Sequence, residues 1–178
     1  MPRTEPDLVE AARRGDAAAF AELARAQEEI AFRTAFLVTR DASEAEEAAQ
    51  DALVKAWRSL GRFRRGAPFR PWLLAIVANE ARNRRRASAR REAATLRLAT
   101  QATRPGDAPS PADDVVAADE RARLLSRVEA LPDEQRLAVA CRYFLDLGEA
   151  ETAAVLGVRP GTVKSRVARG LDRLRETT

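Results

Sequence analysis

The sequence predicts an all-α protein: two small helical domains joined by a flexible linker. Three observations lead there. Sustained period-two alternation of apolar residues is missing, as are the Asn-Gly and Asp-Gly pairs that mark tight hairpins. Apolar residues recur instead at helical spacing along most of the 178-residue chain. Residues 99–114 combine Pro105, Gly106, Pro109, Ser110 and Pro111 with little apolar content, which is the composition of a linker. The expected domains are residues 5–97 and 119–178, with the linker at 98–118.

The elements follow in order. A first helix is expected from about Asp7 to Arg14, stopped by Gly15. Asp16 then caps a long helix to about Arg40, with Phe20, Leu23, Ile30 and Leu37 on or near one stripe. Asp41 or Ser43 starts a third helix, which runs to about Leu60. Gly61 and the segment Arg62–Pro68 read as a basic loop, and a fourth helix begins near Pro71 and continues through Arg82–Arg86. Helicity resumes near Asp113–Asp119 and lasts to Ala130. Pro132, with Asp133 and Glu134 behind it, opens the next helix, since acids in the first turn meet the positive end of the helix dipole. Gly148 and Gly157 divide the remainder into three pieces.

Charge is distributed unevenly. The chain carries +4 overall, but residues 61–97 carry +9 between acidic stretches of −4 on either side. That pattern suits a polyanion site beside faces that serve another partner. Only Lys55 and Lys164 among the 31 basic residues are lysines, so the arginine abundance reads first as codon bias. With no histidine and the single Cys141, a Cys/His metal site, a histidine-dependent triad and an intramolecular disulfide are all excluded. No cofactor is expected. The N-terminus lacks the apolar core of a signal peptide, and no apolar run approaches the ~20 residues that span a bilayer. A cytoplasmic protein without membrane insertion is the expectation.

The most legible segment is Glu149–Arg175. Ala153, Gly157 and Val163 have the spacing a helix-turn-helix needs: a small residue where the helices touch, a left-handed turn residue and an apolar anchor. Val163, Val167, Leu171 and Leu174 fall on one face of the second helix. Thr162, Ser165, Arg166, Arg169 and Arg173 project from the other side, with Lys164 on the flank, and this basic face is free to enter a major groove. A solvated charged helix packed on a partner is the plainer alternative. Arg159 stands where Ser or Thr would cap the helix.

In the first domain, Glu47, Gln50 and Asp51 lie three and four residues apart and so share a helix face, suited to an arginine-rich partner helix. Phe63, Phe69 and Trp72 beside Arg64, Arg65 and Arg70 combine an aromatic pocket with cations, which is what holding an unstacked base requires. The competing reading places Trp72, with Leu73 and Ile76 at helical spacing, in a core. Arg84, Arg85 and Arg86 fan around their helix and read as phosphate contacts rather than base readers.

Two sets of residues then carry a resemblance. Leu131-Pro132-Asp133-Glu134-Gln135-Arg136, Cys141-Arg142-Tyr143-Phe144, Leu156-Gly157-Val158 and Gly161-Thr162-Val163-Lys164-Ser165-Arg166 resemble region four of the sigma-70 family. Ala45–Leu53 with Ala56-Trp57, and Phe63–Leu74 with Ile76, Asn79 and Arg82–Arg86, resemble region two. The chain is similar throughout, apart from the linker, to sigma factors of the extracytoplasmic-function (ECF) subfamily. Thr152, Leu53, Ala48 and Asn83 depart from the family pattern.

The resemblance implies a bacterial transcription initiation factor that binds core RNA polymerase, directs it to specific promoter DNA and assists melting. It implies that Glu47, Gln50 and Asp51 dock on the polymerase clamp. The basic loop with Arg64, Arg65, Phe69, Arg70 and Trp72, together with Asn79, Arg82, Arg85 and Arg86, would serve minus-ten recognition and melting. Thr162, Lys164, Ser165, Arg166 and Arg169 would read the minus-thirty-five element. An anti-sigma protein is implied as regulator, and the linker acids Asp107, Asp113 and Asp114 fit either a nucleic-acid mimic or plain solvated charge. A stand-alone helix-turn-helix regulator is the alternative function. An enzyme acting on nucleic acid through carboxylate–metal chemistry at Asp41, Glu44, Glu47 and Asp51 lacks any surrounding metal-ligand motif.

Overall fold

Helix boundaries follow from local capping chemistry. Asp16 accepts a hydrogen bond from the Ala19 amide (3.0 Å) and Asp41 from the Glu44 amide (2.8 Å), so each aspartate satisfies an otherwise orphaned N–H of the helix it precedes. In the computed structural model, which describes residues 3–98, 123, 124 and 126–176, these caps open α2 (Ala17–Thr39) and α3 (Ala42–Ser59). A single 3-10 turn, Leu60–Arg62, extends α3. Among the described residues there are no strands.

Two starts differ from expectation. The first helix, α1 (Glu5–Arg13), begins two residues early, because Thr4 and Asp7 bond reciprocally across its first turn. The Thr4 hydroxyl and amide both donate to the Asp7 carboxylate and lower its pKa. The fourth helix, α4 (Phe69–Leu98), also begins two residues before Pro71. Pro71 falls inside the first turn, where its missing N–H loses nothing, and the Phe69 amide is capped from a distance by the Glu5 carboxylate (3.2 Å).

The four helices α1–α4 enclose one core. Many of its seams are lined by alanine: Ala19, Ala31, Ala35, Ala45, Ala48, Ala52 and Ala56 are fully buried, which lets helices approach closely. Leu23, Leu60, Phe63, Phe69, Leu73 and Val77 supply its bulk. The stripe expected on α2 divides. Phe20 and Leu23 face this core, whereas Ile30 and Leu37 pack on a second cluster.

That second cluster joins the two halves of the chain. Residues 126–129 are helical, and α5 (Asp133–Tyr143), α6 (Glu149–Leu156) and α7 (Pro160–Glu176) follow. Leu74 and Ala78 of α4 meet Cys141, Leu145, Leu147 and Val155 there, all buried. The linker beyond Leu98 and the expected helix start at 113–119 lie outside the described residues.

Within the C-terminal half, α6 stops at Gly157, whose φ of 66° suits a residue without Cβ. The Val158 amide returns to the Ala153 carbonyl (3.0 Å) in a Schellman arrangement. This turn sets α7 across α6, with Val163 at 1% exposure as the anchor between them.

Candidate nucleic-acid and polymerase interfaces

The outer face of α7 presents Lys164, Ser165 and Arg169 to solvent. Thr162 is half-buried; its carbonyl accepts from the Ser165 hydroxyl (3.0 Å), and the Ser165 carbonyl accepts from Arg169 Nε (3.1 Å). Arg166 departs from expectation. It lies about 60° around the helix from Val163, at the edge of the packed face, and pairs with Glu134 of α5 at 2.8 Å. With its side chain only 17% exposed, it ties α7 to α5 rather than standing on the free face.

The loop before α4 separates the cations from the rings. Phe69 is fully buried and Phe63 is 4% exposed; with Trp72 they form a cluster with centroid distances of 4.9–6.1 Å. The expectation that Phe69 holds an extruded base is therefore corrected: its ring is core, and of the three rings Trp72 alone keeps partial exposure. Arg13 fixes the turn by donating to the Phe63 carbonyl. Arg64 is exposed, and Arg65 reaches Glu10 (3.2 Å) while remaining 76% exposed.

The arginines of α4 divide by helix face. Arg70, Leu74, Ala78 and Arg82 stand four residues apart, so they form one row, and the apolar pair in the middle carries the row into the second cluster. Arg70 donates to the Leu145 carbonyl (2.9 Å), and Arg82 to the Val155 carbonyl (2.9 Å) and to Asn79 Oδ1 (2.9 Å). Arg85 pairs with Asp133 (2.6 Å). In this conformation all three guanidinium groups bind the C-terminal half, Arg70 and Arg82 partly buried there and Arg85 still 44% exposed, a correction to the open basic surface expected from sequence. Asn79 and Arg86 are exposed.

On α3, Glu47, Gln50 and Asp51 share an exposed face, and Gln50 donates to Glu46. The structure adds a partner that sequence reading missed: Arg84 of α4 reaches across and donates to both Glu47 and Asp51. The hydrogen bond to Asp51, then the two carboxylate charges, raise the pKa of the Arg84 guanidinium above the ordinary arginine value, although burial works against them. Also missed was an apolar groove between α2 and the C-terminal half, lined by Phe32, Phe36, Leu37, Val128 and Phe144. The exposed Phe32 and Phe36, four residues apart on a helix, were its one sequence signal.

Among the described residues, no cluster of three His, Cys, Asp or Glu has the arrangement of a metal site, and no helix is long and apolar enough to cross a membrane. What the geometry defines is a two-part helical protein, its C-terminal part a helix-turn-helix and its N-terminal part a basic, alanine-seamed bundle.

Comparison with known proteins agrees. The family model for sigma-70 region 2 matches residues 23–91, and that for sigma-70 region 4 matches residues 121–174. The ECF RNA polymerase sigma factor SigM of Mycobacterium tuberculosis H37Rv is 36% identical, over 97% of this chain and 83% of its own length. The ECF RNA polymerase sigma-E factor of Escherichia coli K12 is 31% identical, over 95% of this chain and 91% of its own. Among solved structures, CnrH in complex with the cytosolic domain of CnrY superposes with a TM-score of 0.70 at 25% identity, covering 97% of this chain and 96% of that one. The chain belongs to the sigma-70 family, within the ECF sigma factors, and is a transcription initiation factor. Two region matches on one chain, and relatives aligned over nearly all of it, do not favour the stand-alone regulator reading.

Proposed function

We propose that residues 5–97 form a unit that binds core RNA polymerase and handles the minus-ten element, and that residues 119–178 read the minus-thirty-five element, with 98–118 as the linker. The carrying observation is that one chain presents an acidic face on α3, a basic loop before α4 and a basic outer face on α7. Glu47, Gln50 and Asp51 contact the polymerase clamp. Lys164, Ser165 and Arg169 enter the major groove, with Thr162 and Arg166 supporting them. Arg64, Arg65 and Arg86 engage phosphates at the minus-ten element, Trp72 and Asn79 lie beside them, and Arg70, Arg82 and Arg85 join once the C-terminal half moves aside.

The chain acts in the cytoplasm, as a non-enzymatic factor, and an anti-sigma protein holds it inactive. CnrH is solved bound to a domain of CnrY, and the apolar groove of Phe32, Phe36 and Phe144 is a surface of the kind a helical regulator covers. The test is transcription from a genomic promoter library by purified core polymerase with and without the chain. Promoter-specific transcripts that require the chain are expected; none above core alone would refute the reading.

A further inference from the structure

Arg84 belongs by sequence to the basic run of α4, yet its side chain points to α3. Glu47 and Asp51 are four residues apart on one helix face, a like-charge pair that destabilises the helix unless a cation lies between them. Arg84 is that cation: one guanidinium nitrogen binds each carboxylate. The acids are 57% and 58% exposed while Arg84 is 30% exposed, so an incoming basic surface reaches the carboxylates more readily than it reaches the arginine. Around the bridge, Glu44 faces Arg91 (3.9 Å) and Lys55 pairs with Glu80, so the other two acids lining this cleft have cations of their own.

We propose that Arg84 couples the polymerase face to the DNA face: it occupies Glu47 and Asp51 in the free chain and is handed to a DNA phosphate when the polymerase's basic helix takes those carboxylates. The inference rests on the assignment of Glu47 and Asp51 to polymerase binding. No covalent step is involved; one set of charge-assisted hydrogen bonds is exchanged for two. Linkage makes the effect reciprocal. Polyanion bound at Arg84 frees the acids for polymerase, and polymerase bound at the acids frees Arg84 for DNA. Exposed ion pairs are worth little each, so the coupling is expected at about two- to five-fold in affinity.

Two measurements test it, both on the full chain. The first is binding of a fluorescent duplex DNA to the free protein by anisotropy. Glu47→Gln with Asp51→Asn should tighten binding about two- to five-fold more than the charge-matched Glu22→Gln with Glu28→Gln, and adding Arg84→Gln should abolish that difference. Equal tightening by the two acid pairs, or a difference that survives Arg84→Gln, overturns the proposal. The second is competition for core polymerase. Arg84→Gln should raise affinity about two- to five-fold, whereas the charge-matched Arg25→Gln should not. Equal behaviour of those variants also overturns it. If the unmodified chain does not bind core at all, the functional assignment of α3 fails, while the DNA measurement still decides whether Arg84 is sequestered. Helix content by circular dichroism accompanies every variant, and the conservative Arg84→Lys should restore part of the difference in both assays.

Discussion

Replacing Gly170 by alanine sets a methyl group into the seam that holds α7 on α5. A Cβ at that position lies 2.8 Å from Val139 Cγ2 and 3.5 Å from Gln135 Cβ. Carbon atoms in contact prefer about 3.5–4.0 Å, so the first contact is too close and the second is ordinary. Val139 is 3% exposed, and a β-branched side chain in a helix holds essentially one χ1 rotamer, so its methyl has nowhere to swing. Two effects then oppose each other. Gly to Ala in a helix interior stabilises by about 1 kcal/mol. Overpacking a filled core costs about 1–3 kcal/mol. The second wins, leaving a net loss of about 1 kcal/mol. In a Val139→Ala background the clash is gone, and the same substitution should become stabilising. Urea unfolding of the full chain, followed by circular dichroism, reads both signs, and anisotropy on a minus-thirty-five duplex reads whether α7 stays in place. A raised unfolding midpoint for Gly170→Ala alone would show slack in the seam and refute the reasoning.

Further outcomes are expected at Thr152, Cys141, Arg169 and Arg166. Thr152 is fully buried and its hydroxyl oxygen has no hydrogen-bond partner, so Thr152→Val should raise stability by about 1 kcal/mol; a lowered urea midpoint would mean the hydroxyl is satisfied. Burial pushes the Cys141 thiol up to about 12 from 9.0, with Arg82 opposing. The folded state therefore keeps a proton that the unfolded chain releases, so stability is complete below about pH 9 and falls as pH rises towards 12. Near neutral pH, Ellman's reagent should react with Cys141 only after urea unfolding or separation of the two halves, and rapid stoichiometric labelling of the native chain would contradict its burial. Arg169→Ala should weaken minus-thirty-five binding by about 1–3 kcal/mol with an unchanged unfolding midpoint if it contacts a base. Arg166→Ala should shift that midpoint as well, because it removes the bridge to Glu134.

What the sequence determined by itself is local chemistry. Asp16 and Asp41 accept amides three residues ahead, Pro132 with Asp133 and Glu134 begins α5, and Gly157 ends α6; each depends on atoms within about one turn. The helix-turn-helix was legible for the same reason, since Ala153, Gly157 and Val163 fall within eleven residues of one another. Tertiary structure decided which face of each helix is occupied. Glu5 caps Phe69 from 64 positions away, which moves the start of α4 and draws Phe69 into the core. Arg82 meets Val155 across 73 positions, and Arg84 meets Glu47 across 37. An arginine's sequence neighbours say only that it is basic. Whether it faces phosphate, a carboxylate or a helix-end carbonyl depends on which surface packing brings opposite it, as the row Arg70, Leu74, Ala78 and Arg82 shows: its apolar middle pair is buried against the C-terminal half, and the charged ends go with it.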